Sequence, residues 1–196
     1  EISECLVGSE MCIRDRLFVE VKAEYAKEMV TGFIQLDGVT VGAVANRTAI
    51  YDENGEKAEE FAAVLTTDGA YKAAEFVTFC NAFEIPVLSL TNVKGFEANV
   101  RAEKTIAKAA AKLVYAFSNA DVPKVNVITG EAYGSAYVAM NSKSVGADMV
   151  YAWSQASIGM MDASLAAKIM YADEIAAADD VTAKINEKAS EYAALQ

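Results

Sequence analysis

Two stretches of the chain decide its fold: residues 85–96 read IPVLSLTNVKGF, and residues 122–136 read VPKVNVITGEAYGSA. Each contains one of the only two prolines in the chain, continues as a short apolar run and ends in a turn that contains glycine. A helical pattern follows each turn, over residues 98–119 and from residue 134 onward. A strand–turn–helix unit used twice predicts an α/β fold whose strands are covered by helices.

The two glycine turns, at residues 92–96 and 130–136, form the candidate ligand site. In α/β folds ligands bind beyond the carboxyl ends of the strands, so neighbouring strands would place both turns together there. Free amides at a helix start point outward and favour negative charge. Where that charge develops only in a transition state, such amides form an oxyanion hole.

A hairpin and a helix are predicted ahead of the first turn. Residues 33–36 and 39–44 are rich in β-forming side chains and flank Asp37-Gly38, which is a strong hairpin signal. Asp68 is a candidate cap for a helix that runs to about Phe83.

The apolar stripe of that helix is predicted to face the core. Phe76, Cys80 and Phe83 recur at helical spacing. Cys80 is therefore interpreted as a buried small hydrophobe rather than a reactive thiol.

The last third of the chain is predicted to hold two short strands and two helices. The strands are expected at 148–152 and 157–160, and the helices at 163–171 and from 179 onward. The apolar stripe of the last helix is formed by Val181, Ile185, Ala189 and Tyr192. A nearby acidic group is interpreted as capping charges rather than a metal cluster: Asp173, Glu174, Asp179 and Asp180.

Composition excludes several classes of function. The chain has 196 residues, 54% of them hydrophobic, and a net charge of −11, which disfavours nucleic acid and anionic membranes as partners. It contains no histidine, which excludes Ser-His-Asp and Cys-His catalysis and zinc sites with histidine ligands. Three cysteines form no disulfide framework or metal pattern, so we expect a cytoplasmic protein without a metal. No apolar run reaches the ~18 residues that span a bilayer.

Several side chains near the turns have ordinary interpretations. Ser135 as a nucleophile would need an unusual base, so its small size beside Gly134 better fits close approach of a ligand. Lys94 and Lys143 are expected to be exposed. The remaining candidates are interpreted as wall or core residues: Tyr133, Tyr137, Trp153, Met140, Met149, Met160 and Met161.

The first sixteen residues, EISECLVGSEMCIRDR, differ from the rest of the chain. They lack a helical or strand period, contain two of the three cysteines and resemble a translated sequencing adapter. We therefore expect residues 1–16 to be non-native and residues 17–196 to be one domain. A genuine N-terminal arm is the alternative.

Three segments carry a family resemblance: 19–47, 76–99 and 111–161. In this order they resemble the C-terminal half of the carboxyltransferase subunit of biotin-dependent acyl-CoA carboxylases and decarboxylases. The resemblance implies an α/β, crotonase-like fold, a β-β-α superhelix, as a single partial domain. It also implies that the acyl-CoA-binding half is absent and that the chain is truncated at its C-terminus.

The resemblance implies a chemistry that needs no histidine. CO2 moves between carboxybiotin and the α-carbon of a short acyl-CoA, such as acetyl-, propionyl- or methylmalonyl-CoA, and backbone oxyanion holes stabilise the enolates. Biotin is the cofactor and no metal is required. The implied partners are a biotin carboxyl carrier protein, biotin carboxylase or decarboxylase subunits, and further copies in a dimer-based hexamer.

The family motifs PGF and YGGA correspond to residues 94–96 and 133–136. The resemblance assigns the biotin-side oxyanion hole to the amides of Ser135 and Ala136. It assigns biotin binding to Gly95, Phe96, Tyr133 and Gly134. Lys94 replaces the usual proline and Ser135 the second glycine, and the amide of Ser135 keeps its role only if its φ is negative.

Two alternatives remain. A crotonase-like hydratase or isomerase would need an acid–base carboxylate, for which Glu131 is the nearby candidate. A non-catalytic assembly module would self-associate through apolar faces.

Overall fold

The computed structural model describes residues 18–52, 54–178 and 180–194. The strands in this part of the chain are β1 (Val19–Glu20), β2 (Met29–Leu36), β3 (Val39–Asn46), β4 (Ala49–Tyr51), β5 (Lys57–Glu60), β6 (Val64–Leu65), β7 (Val87–Val93), β8 (Gly95–Phe96), β9 (Lys124–Tyr133), β10 (Met149–Ala152) and β11 (Ser157–Gly159). The helices are α1 (Thr67–Ala82), α2 (Val100–Asn119), α3 (Gly134–Ala139), α4 (Ala163–Met170), α5 (Ala172–Ala176) and α6 (Val181–Ala193). A 3₁₀ turn spans Lys143–Val145.

The main sheet has seven strands in the order β1-β2-β3-β7-β9-β10, with β11 also pairing with β9. The strands β3, β7, β9, β10 and β11 pair in parallel, whereas β1, β2 and β3 pair antiparallel. Two small sheets, β4–β5 and β6–β8, complete the fold. The predicted α/β class and the adjacency of the two units are therefore confirmed.

The predicted hairpin joins β2 to β3. Leu36 pairs with Val39 across the turn, and Asp37 and Gly38 have φ values of 50° and 80°. Positive φ at both central residues is typical of the type I′ turn, whose twist matches that of the strands.

The core lies between the sheet and the helices α1 and α2, which pack against each other. Cys80 on α1 is buried, and its burial raises the pKa of the thiol to about 12. A Cβ at Gly42 of β3 would lie 2.5 Å from Cys80 Sγ, so the bare glycine lets α1 approach the sheet. The interpretation of Cys80 as a small core residue is confirmed.

Two expectations about α1 are wrong. Its cap is Thr66, whose Oγ1 accepts a hydrogen bond from the Gly69 amide at 2.9 Å, and Asp68 lies in the first turn. Phe83 lies beyond the last helical residue and is 64% exposed, because α1 ends before the stripe reaches it. Its ring instead contacts that of Phe79, with centroids 4.5 Å apart.

The last third follows the predicted order of strands and helices. Asp180 caps α6 by accepting a hydrogen bond from the Ala183 amide at 2.9 Å, as expected of a capping charge, whereas Asp179 lies outside the described residues. Val181 is exposed, and Ile185, Ala189 and Tyr192 are only half-buried, so the stripe of α6 packs loosely. No helix in the described ranges is long and apolar enough to cross a membrane.

Candidate functional site

The two glycine turns meet at one edge of the sheet. Because β7 and β9 are parallel neighbours, their carboxyl ends lie together. The first turn forms β8, which pairs with β6, and the second turn opens into α3, which contacts β8. The structure therefore brings the two glycine turns together, as predicted, with Gly95 and Phe96 on a strand that contacts α3.

The backbone at the start of α3 depends on Gly134. Its φ is +57°, and a Cβ there would lie 3.0 Å from the carbonyl oxygen of Met160. Glycine therefore satisfies two constraints at this position. The φ of Ser135 is not positive, so serine in place of the family's second glycine preserves the backbone donor. Ser135 is exposed, whereas Ala136 is buried.

The amino end of α3 carries no capping side chain. Tyr133 occupies the cap position and makes no side-chain hydrogen bond to the helix. Among the described α-helices, the two short ones, α3 and α5, lack a capping side chain. The four of eight or more residues are each capped: Thr66 on α1, Asn99 on α2, Asp162 on α4 and Asp180 on α6. The first amides of a helix have no partner within it, so the amides of Ser135 and Ala136 are suited to a ligand.

The carboxyl end of α3 is tied to the sheet. Asn126 Nδ2 donates to the carbonyl of Met140 at 3.1 Å, and the Thr91 hydroxyl donates to Asn126 Oδ1 at 2.8 Å. All three residues are fully buried. The sequence reasoning missed this contact. An asparagine inside the apolar run VNVI was the available signal, because buried polar groups need partners.

The charged side chains near the turns pair with each other. Lys94 Nζ lies 3.2 Å from Glu131 Oε2, and the Glu131 amide donates to Asn92 Oδ1 at 3.0 Å. Lys94 and Lys143 are exposed, as expected. Because Glu131 already has a cationic partner, it is a poor candidate for the acid–base group of a hydratase.

The aromatic residues largely follow expectation, but two methionines do not. Tyr133 is buried, and the half-buried Tyr137 has a pKa raised by burial. Met140 is a core residue, whereas Met149 and Met160 are 54% and 76% exposed. The core interpretation is therefore wrong for these two, which lie on the last third of the chain, where apolar side chains remain uncovered. Among the described residues, no three cysteine or carboxylate side chains gather into a group able to hold a metal ion.

Comparison with known proteins places this geometry in a family. The model of the carboxyl transferase domain matches residues 8–196. The chain belongs to the carboxyl transferase domain family. The match begins inside the segment 1–16, and the foreign origin of that segment stays a prediction.

Two members of the family show how similar their sequences are to this chain. The chain is 42% identical over 176 residues to the methylmalonyl-CoA carboxyltransferase 12S subunit of Propionibacterium freudenreichii subsp. shermanii, covering 89% of this chain and 32% of that subunit. It is 44% identical over 159 residues to the propionyl-CoA carboxylase beta chain of Roseobacter denitrificans, covering 81% and 29%. The chain thus spans about a third of the length of these relatives.

The fold agrees with that of a solved relative. A crystal structure of transcarboxylase 12S, with methylmalonyl-coenzyme A and methylmalonic acid bound, superposes with a TM-score of 0.79 at 40% identity. The match covers 97% of this chain and 34% of that one. The crotonase-like fold expected from the resemblance is confirmed for this carboxyl transferase domain.

Proposed function

We propose that the chain forms the biotin side of a carboxyltransferase that moves CO2 between carboxybiotin and the α-carbon of a short acyl-CoA. The observation that carries the proposal is α3, whose amino end has no capping side chain and which contacts β8. Two relatives of the chain are named for methylmalonyl-CoA and propionyl-CoA, which supports a short acyl-CoA as the substrate.

The residues at the two turns fit a bound biotin. Gly95 has no heavy atom within 4 Å of a Cβ position, so the first turn is open where a ring would approach. Bound carboxybiotin supplies the carboxyl group and an oxygen that gains negative charge as that group leaves. The amides of Ser135 and Ala136 would donate to this oxygen. Gly95 and Phe96 would form one wall of the site, and Tyr133 and Gly134 the other.

The acyl-CoA side and the partners belong to the same proposal. We expect the acyl-CoA site to be completed by the amino-terminal half of a partner subunit, in a dimer-based hexamer. Exposed apolar side chains on the last third of the chain support such a contact: Met149, Tyr151, Ile158, Met160, Leu165, Ile169 and Met170. The crystal structure of the relative transcarboxylase 12S describes a hexamer assembly and substrate binding to a multienzyme core. A biotin carrier, a biotin carboxylase or decarboxylase partner and a cytoplasmic location complete the proposal.

The same apolar residues favour a second candidate, a self-associating assembly module without turnover. The two candidates differ in what the complete subunit does. Either one predicts association, but only the carboxyltransferase predicts that the complete subunit transfers CO2. A monomer at micromolar concentration in light scattering would overturn the assembly module, and it would also remove the support that the exposed apolar residues give to a subunit contact in the carboxyltransferase.

The experiment measures transfer of labelled CO2 from carboxybiotin on its carrier to propionyl-CoA, with acetyl-CoA in parallel, using the complete subunit. Ser135→Pro deletes one amide donor, so we expect kcat to fall about 10²–10³-fold. Ser135→Ala keeps the amide and should leave kcat within about twofold, because the hydroxyl has no role in the chemistry.

Each outcome has a clear meaning for the proposal. No transfer by the folded wild-type subunit would overturn the carboxyltransferase function. Transfer at the wild-type rate in Ser135→Pro would show that the Ser135 amide does not stabilise the reacting oxygen. Loss of transfer in Ser135→Ala would instead point to the hydroxyl.

A further inference from the structure

Glu131 is held at both of its ends by residues of the other turn. Its backbone amide donates to Asn92 Oδ1 at 3.0 Å, and its carboxylate lies 3.2 Å from Lys94 Nζ. Asn92 belongs to β7 and Lys94 immediately precedes β8, whereas Glu131 belongs to β9. We name the four residues Asn92, Lys94, Gly130 and Glu131 the clasp.

The clasp lies where the pairing of β7 with β9 changes register. Thr91 pairs with Ile128 and Val93 with Ala132, so β9 carries two extra residues here. Extra residues in a strand lose their ladder partners in the neighbouring strand, which here is β7. The side chain of Asn92 supplies an acceptor to the Glu131 amide. Gly130 makes room for it, because a Cβ there would lie 2.7 Å from Asn92 Oδ1.

The clasp also joins the two walls of the candidate site. Lys94 is followed directly by Gly95 and Phe96, and Glu131 precedes Tyr133 by two residues. A change in the Lys94–Glu131 separation would therefore move β8 relative to the first amides of α3. Reaction rates depend steeply on such separations, since a misplacement of about 1 Å costs on the order of a hundredfold.

We propose that the clasp is a positioning device, in which the Lys94–Glu131 ion pair sets the distance between the β8 wall and the amides of Ser135 and Ala136. The proposal rests on the proposed carboxyltransferase function. Lys94 and Glu131 are positioning residues, and the donors to the reacting oxygen remain the backbone amides.

Because the Lys94–Glu131 pair is partly exposed, its effect on the geometry of the site can be measured without a large effect on the stability of the fold. The side chains of Lys94 and Glu131 are 52% and 31% exposed. Ion pairs that reach solvent contribute little to folding and weaken as ionic strength rises. Replacing either partner should therefore leave the fold intact while changing the geometry of the site.

Charge reversal in the complete subunit tests the clasp. Lys94→Glu and Glu131→Lys each place like charges together, and we expect each to lower kcat about tenfold or more. The KM for propionyl-CoA should stay within about twofold, because the clasp lies on the biotin side. The double variant restores an ion pair of opposite sense and should recover most of the lost kcat.

Lys143→Glu is the matched control, since it makes the same charge change at an exposed residue outside the clasp. It should leave kcat unchanged. The melting temperatures of all four variants should lie within about 4 °C of wild type. Single variants with wild-type kcat, or a double variant no better than the singles, would overturn the clasp.

Hydrogen exchange of the 196-residue chain gives a second readout that needs no turnover. The single variants should speed exchange at residues 130–136, and the double variant should restore it. If the wild-type subunit is inactive but the variants show this exchange pattern, the proposed carboxyltransferase function is wrong. The clasp would still be supported as a structural link between the two turns. If no variant changes the rate of hydrogen exchange at residues 130–136, the clasp proposal is wrong, regardless of the measured kcat values.

Discussion

The two strand–turn–helix units share a sequence pattern but end differently. After β7, the turn forms β8, and α2 starts only at Val100, where Asn99 Oδ1 accepts a hydrogen bond from the Ala102 amide at 2.7 Å. After β9, the chain enters α3 directly at Gly134, without a capping side chain. One unit begins its helix with a capping side chain, and the other begins its helix without one.

The difference shows where each helix obtains its stability. The twenty residues of α2 pack against α1, and its amino end is capped. The six-residue α3 is too short to be stable by itself. Its position depends on the positive φ of Gly134 at one end and on the contact of Asn126 with Met140 at the other. Variants at these two points test whether α3 is held at both ends.

The largest effect on stability is expected at Asn126. Asn126→Ala leaves the carbonyl of Met140 and the hydroxyl of Thr91 buried without this partner, so it should lower the free energy of unfolding by about 2–4 kcal/mol. Urea denaturation measures this change. Asn119→Ala, at an exposed residue of α2, serves as the control and should cost less than about 0.5 kcal/mol. Equal losses in the two variants would show that α3 is not held by its carboxyl end.

Gly134→Ala should produce the next largest effect. Alanine must adopt a φ of +57° and place its Cβ near the Met160 carbonyl, so we expect a loss of about 1–3 kcal/mol in unfolding free energy. Gly95→Ala is the matched variant in the other turn, where a Cβ meets no heavy atom within 4 Å. Thermal melting of the two variants compares the two turns. Equal melting temperatures for Gly134→Ala and Gly95→Ala would show that the second turn does not require glycine more than the first.

Much of the fold was predictable because its signals are local. Asp37-Gly38 adopts the turn that its residue types favour, and the apolar runs before the two glycine turns are β7 and β9. Cys80 follows from helical periodicity. The resemblance placed the turns in a known family, and the structure brings them together as that resemblance implied.

The remaining features depend on contacts that no local pattern encodes. Asn92 and Glu131 are 39 residues apart, and only the register of β7 against β9 brings them together. Met160 is an apolar residue of a type common in protein cores, yet its side chain is exposed in this chain. Phe83 continues the periodicity of α1, but periodicity does not determine where a helix ends.

The smallest expected effect concerns the cap of α2. Asn99→Ala removes the acceptor for the Ala102 amide and should lower the free energy of unfolding by about 1 kcal/mol. Asn99→Asp keeps an acceptor at the same position and should retain wild-type stability or exceed it, because a negative charge there complements the helix dipole. Urea denaturation of both variants measures the two changes. Since Asn99 does not belong to α3, neither variant should alter hydrogen exchange at residues 134–137. If exchange there does increase, the two helix starts are coupled, and the capped and uncapped units cannot be treated as independent parts of the site.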